Sequence, residues 1–224
     1  MKGVRGDTKM YRNMMRLLKK YVKAHYPEEA GHILSKTERY YRAFKAECPD
    51  LGGDDNMLAG NLDMGLVAFA AYEASGHRID GAAIDELMAM RTRKLQAAGT
   101  FINANRAWMP KLMDAMYRPY KKKLDKKLAD GEWGNTWRME INPNKRTEGY
   151  AFHLIGCPLA EFAISHGYGH LMPHLCASDH GIAKAMHAKL IRTHTVAHGD
   201  AYCDYWYVGD KSEAASHYAE YEIL

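Results

Sequence analysis

Residues 137–155 read WRMEINPNKRTEGYAFHLI, and the reading of this stretch decides the fold. Trp137, Met139 and Ile141 alternate with Arg138 and Glu140. A period of two puts alternate side chains on opposite faces of a pleated strand. Asn142-Pro143-Asn144 is a turn signal, since these side chains and the fixed proline φ favour chain reversal. From 148 to 156 the alternation resumes, with Tyr150, Phe152 and Leu154 on one face and His153 and Ile155 on the other. Strands are therefore expected at 136–141 and 148–156.

Upstream of Gly131 the period is helical. Tyr11, Met14, Leu18, Tyr21 and Val22 recur at helical spacing and predict a helix over 8–25. Helices are expected at 28–47 and, in apolar form, at 57–75, where Asp54 and Asp55 suit the N-terminal dipole. Small residues there, Ala68 and Ala71, predict close packing on other helices. Asp80 caps a helix from about Gly81 to Ala98 carrying Ile84, Leu87, Met88 and Leu95. A further helical stretch runs from about Asn103 to Asp130, interrupted near Pro110 and Pro119.

Downstream, 158–167 returns to helix. Asp179 is read as the N-cap of a short helix over 179–187, and strands are expected at 189–197 and 202–208 around a His198-Gly199-Asp200 turn. The sum is an α+β class: a helical N-terminal part followed by an antiparallel sheet of about four strands with inserted helices. No Pro/Gly/Ser-rich linker divides the chain, so residues 1–224 are read as a single domain.

The 224 residues are 47% hydrophobic and 26% charged, a globular balance. Residues 1–150 carry 27 Lys+Arg against 19 Asp+Glu, whereas 151–224 carry 4 against 8. The cations of the basic half are spread along helical faces among acids, so no nucleic-acid partner is expected. The Lys121-Lys122-Lys123 run with Lys126 and Lys127 reads as a solvated helix face. No apolar run approaches the roughly 20 residues of a membrane helix, and MKGVRGDTKMYRNMM lacks the apolar core of a signal peptide. No membrane partner is expected, and the compartment is read as cytoplasmic, with reduced thiols.

Chemistry concentrates between Cys157 and Tyr207, which holds three of the four cysteines; nine of the twelve histidines lie from 151 onward. Cys176 stands in a Cys-x-x-Asp-His cluster with Asp179 and His180, and Cys203 precedes Asp204 directly. A helix starting at Asp179 places backbone N–H groups near Cys176, which favours its thiolate. The plain alternative is that Cys157, Cys176 and Cys203 are small buried hydrophobes. In the last strand, alternation puts Cys203, Tyr205 and Tyr207 on one face and Asp204 and Trp206 on the other. His166, His170 and His174 recur every fourth residue, the spacing of a helical metal site, but Gly167, Gly169 and Pro173 interrupt them. No tight Cys-x-x-Cys pair is present, so no metal and no cofactor are expected.

The set Gly-Cys-Pro-Leu-Ala-Glu-Phe at 156–162, Leu-Cys-Ala-Ser-Asp at 175–179, Arg-Thr-His-Thr-Val-Ala-His-Gly at 192–199 and Tyr-Cys-Asp-Tyr-Trp at 202–206 resembles the L-2-amino-thiazoline-4-carboxylic acid hydrolase family. The resemblance covers about the last seventy-five residues and extends loosely upstream through the Asn61–Gly76 helix. It implies a small cytosolic hydrolase acting on a non-peptide C–N bond of a cyclic amidine and giving an N-carbamoyl amino acid on the route to cysteine. Its characteristic positions fall on Cys157, Cys176, Asp179, Gly199, Cys203 and Asp204; His180 has no counterpart in the pattern. The expected catalytic set is Cys176, Asp179 and Asp204. Cys157, Cys203, His180 and His153 are expected to bind a small-molecule substrate. Two other readings stand beside this one: a non-catalytic small-ligand-binding or sensor domain, and a His/Cys metal-dependent hydrolase.

Overall fold

Thr8 accepts a hydrogen bond from the Tyr11 amide and so starts α1 (Lys9–His25). Here and below, the computed structural model describes residues 7–98 and 102–218, without the side chains at 94, 95, 97 and 98; Leu95 and residues 1–6 of the N-terminal reading lie outside it. A single 3₁₀ turn at Pro27–Glu29 leads into α2 (Ala30–Glu47), and α3 spans Ala59–Ala74. Asp80 caps α4 (Gly81–Ala98) through the Ala83 amide. Then come α5 (Met109–Ala129), β1 (Arg138–Ile141), β2 (Tyr150–Ile155), α6 (Pro158–Ser165), α7 (Met172–Ala185), β3 (Ala188–Ile191), β4 (Tyr202–Gly209) and α8 (Glu213–His217). The class is α+β as read from the sequence: helices first, then an antiparallel four-stranded sheet in the order β1-β2-β4-β3. Among the described residues no helix is long and apolar enough to cross a membrane.

Contacts divide the described residues into two units, 7–91, 131–136 and 158–175 in one and 92–98, 102–130, 137–157 and 176–218 in the other. In the first, α3 packs against α1, α2 and α6 and is buried on all sides. Gly65 permits this: a Cβ there would lie 2.2 Å from Leu159 Cδ1 on α6. Asp63 in α3 is fully buried and accepts from the Thr8 hydroxyl and, at 2.6 Å, from Lys45 Nζ. Asp54, expected to start the third helix, instead accepts the Lys9 amide at the start of α1.

In the second unit the register sets two sheet faces, since directly opposed residues of antiparallel strands share a side. Leu154 faces Cys203, Phe152 faces Tyr205, Tyr150 faces Tyr207, and Leu190 also faces Tyr207. This is the aromatic face, where Tyr117 of α5 stacks on Tyr150 and Phe152 at 5.3 and 5.4 Å. Ala183 of α7 packs with Ala188 and Leu190 of β3, with Tyr205 and Tyr207 against them. The opposite face carries Ala151, His153, Ile191, Asp204, Trp206 and Val208.

Three further sequence expectations change. Pro119 does not break α5; it lies exposed, where water meets the carbonyl that loses its partner. The helix expected to begin at Asp179 begins at Met172, because Pro173 falls in its first turn, where a missing N–H costs nothing. β3 ends at Ile191 rather than 197, because just beyond it the Asp204 carboxylate takes two amides, Thr193 at 2.9 Å and His194 at 2.6 Å.

Candidate active site

Residues 176, 179 and 180 are three and four apart on α7, so Cys176, Asp179 and His180 share one side of that helix. Cys176 is half-buried and His180 is buried. Arg192 follows β3 and continues its aromatic-face alternation after Ala188 and Leu190. Its guanidinium donates to Asp179 Oδ2 at 2.8 Å and to the Cys176 carbonyl at 3.0 Å. The Tyr205 hydroxyl donates to the same Asp179 oxygen at 3.2 Å, and the guanidinium carbon lies 5.3 Å from the Tyr205 ring centroid. Cys203 is buried on the same face and its sulfur accepts from the Val196 amide at 3.3 Å.

The electrostatics differ from the sequence expectation. Cys176 lies inside α7, not ahead of a helix start, and burial pushes its thiol far above the ordinary range. The Arg192 charge pulls the other way, while Asp179 and the Cys157 and Cys203 thiols add to the rise. Burial likewise pushes Cys203 up to about 12, against the Val196 amide and Arg192. Cys157, half-buried at the end of β2, is close enough for its charge to act on both. The Cys176 and Cys203 thiols are therefore neutral at neutral pH, which corrects the thiolate argument built on Asp179 as an N-cap.

Asp204 and His153 stand on the other face of the sheet, directly opposed in the register. The Asp204 carboxylate is engaged in the loop: besides the two amides, Oδ2 accepts from the Thr193 hydroxyl at 2.7 Å. His153 is buried, stacks on Tyr202 at 4.3 Å, and has its pKa lowered by burial, with Asp204 and Glu140 opposing. The structure thus brings together Cys176, Asp179, His180, Cys203 and Cys157, and turns Asp204 and His153 away from them. Arg192 and Tyr205 were not nominated from sequence. The signal was present, since alternation from Ala188 and Leu190 sets an arginine on an apolar face.

His166, His170 and His174 do not share one helix. His166 pairs with Glu47 at 3.0 Å, His170 faces the Gly167 carbonyl at 3.1 Å, and His174 pairs with Asp85 at 2.9 Å. Among the described residues no three His, Cys, Asp or Glu side chains gather as a ligand set for a metal. A groove of about 620 Å³ lies on the Trp206 side, lined by Arg146, Glu148 and His217 among others, and takes in none of the thiols.

A thiol and a carboxylate of α7 gathered with a guanidinium and a second thiol from one sheet face are side chains that nucleophilic hydrolases use. Residues 61–207 match the family model of L-2-amino-thiazoline-4-carboxylic acid hydrolase, and the chain belongs to that family. The matched span runs from α3 to β4 and includes every residue of the cluster. No curated protein and no solved structure matches the chain.

Proposed function

We propose that this protein is a hydrolase that opens a small cyclic amidine, of the 2-amino-thiazoline-4-carboxylate kind, to an N-carbamoyl product. The observation that carries the reading is the cluster of Cys176, Asp179 and Cys203 with Arg192 and Tyr205, inside the span that matches the family. Cys176 is the nucleophile in this reading. Its thiol is neutral at rest, so a basic group must take the proton at the moment of attack. The ring nitrogen of the substrate is such a group. Proton transfer from sulfur to that nitrogen makes the thiolate and the electrophilic amidinium together.

The thiolate then bonds to the carbon between nitrogen and sulfur. Both nitrogens remain on that carbon in an N-carbamoyl product, so the ring bond that breaks is C–S, not the C–N bond that the sequence reading implied. The ring sulfur leaves as a thiol, and the carbon stays on Cys176 as an isothiourea. Water attacks it, Cys176 departs, and a urea carbonyl remains. Asp179, one helical turn from Cys176, carries protons between water and the leaving sulfur. Asp204 acts from the far side of the sheet by holding the 193–195 loop in place. Cys157, Cys203 and His180 line the substrate's surroundings, and the reaction uses no cofactor.

The test is release of N-carbamoyl cysteine from the thiazoline carboxylate, with mass spectrometry of the protein for the adduct. Cys176→Ser is expected to lose nearly all turnover and all adduct with its melting temperature unchanged. Asp179→Asn is expected to fall at least about a hundredfold in kcat, and Asp204→Asn less than about tenfold. Wild-type rates in Cys176→Ser would refute the covalent route. Burial of the thiols also supports a second reading, a small-ligand-binding module; saturable binding without turnover by the wild type would favour it.

A further inference from the structure

We propose that Arg192 is the positioning residue of the thiol site: its guanidinium fastens the Cys176 main chain to the Asp179 carboxylate and sets a fixed positive charge against the Cys176 thiol. The inference rests on the reading of Cys176 as nucleophile and adds a residue and a role to it. The Arg192 side chain is 6% exposed, while that of its partner Asp179 is 27% exposed. One donor reaches Asp179 Oδ2 at 2.8 Å and another reaches the Cys176 carbonyl at 3.0 Å, so one planar group spans both residues. The Tyr205 ring lies 5.3 Å from its centre, and the Tyr205 hydroxyl steadies the same carboxylate oxygen.

Stability alone is a poor reason for this arrangement. Burying a guanidinium costs solvation that one ion pair seldom repays, and a well-packed apolar side chain often does as well. The charge has a use in the thiol chemistry. Asp179, Cys157 and Cys203 each oppose ionisation of Cys176, and Arg192 favours it. A lysine could supply that charge but not the two-pronged bond, since an ammonium is a point charge and a guanidinium a fork. Charge and placement can therefore be separated experimentally.

The experiment follows alkylation of Cys176 by iodoacetamide in the ligand-free protein, read by peptide mass spectrometry from pH 7 to 10, with turnover of the thiazoline carboxylate measured in parallel. Arg192→Gln is expected to slow Cys176 labelling at least about tenfold at each pH, because the one charge that favours the thiolate is lost. A merely structural role gives the opposite sign, since loosening the site exposes the thiol and speeds labelling. Arg192→Lys is expected to label within about threefold of wild type while kcat falls at least about tenfold, because the charge stays and the fork is lost. Labelling of folded Arg192→Gln that is as fast as wild type or faster overturns the proposal. If Arg192→Gln does not fold, Arg192→Lys decides: wild-type turnover, or labelling slowed as far as turnover, overturns it. Labelling needs no substrate, so a wild type that labels as expected but opens no ring refutes the proposed function and leaves the Arg192 effect standing.

Discussion

Alkaline pH should destabilise this protein through a thiol that holds its proton too tightly. Cys203 is 8% exposed, and burial pushes it up to about 12, with the Val196 amide and Arg192 opposing. In the unfolded chain a cysteine titrates near 8.5. Between those values the folded protein keeps a proton that the unfolded chain has released, so unfolding releases a proton and is favoured as pH rises. The stability contributed by the neutral thiol is complete below about pH 8.5 and is lost progressively toward about pH 12, at about 1.4 kcal/mol per pH unit. From pH 9 to 10.5 the loss from Cys203 alone is about 2 kcal/mol. Urea titrations followed by tryptophan fluorescence, in reductant, at half-unit steps of pH measure it. Cys203→Ala shifts the whole curve by a constant for the missing sulfur, but its alkaline slope should be shallower by about 1.4 kcal/mol per unit. Parallel slopes for the two proteins would refute the buried, high-pKa thiol.

Two further outcomes follow from the fold. Lys45→Met leaves the Asp63 carboxylate buried with its charge partner gone, and should cost about 3 kcal/mol in urea titration; adding Asp63→Leu should recover part of that loss, whereas an additive double variant would count against a buried pair. Gly149→Ala places a Cβ 2.2 Å from the Tyr207 carbonyl oxygen at a φ of +71°, so soluble yield and melting temperature should both collapse; a variant within about 1 kcal/mol of wild type would contradict the β2–β4 approach.

The helices were legible where spacing and cap agree, as at Asp80, whose side chain bonds the first turn of α4 as such a residue does; the Thr8 cap of α1 was not read. Strands β1, β2 and β4 were legible from their period of two, whereas β3 was placed from the turn expected after it and ends well short of 197. Prolines misled in both directions: Pro173 looked like an interruption and sits in the first turn of α7, and Pro119 looked like a break and sits inside α5. A proline's effect depends on its position in the helix and on what surrounds the carbonyl it orphans, neither of which its neighbours in sequence state. The thiol cluster was legible as a set because the family motif names it. Its electrostatics were not, since burial of Cys176 depends on contacts made by distant segments. Alternation alone already put Asp204 and Cys203 on opposite faces of β4, a stronger guide to Asp204 than its place in the motif.

The interleaving of the first unit sets an order on the chain's synthesis. The apolar α3 is complete at Ala74, but α6, which covers Gly65 with Leu159, ends only at Ser165. At roughly 5–20 residues per second, a ribosome takes roughly 5–18 seconds to deliver the missing helix. Throughout that interval one side of α3 has only water or another nascent chain to meet. The helix shielded by late-made neighbours in the finished protein is thus open to misassembly while the chain is being made, and a fragment that stops at Arg91 would make that exposure permanent.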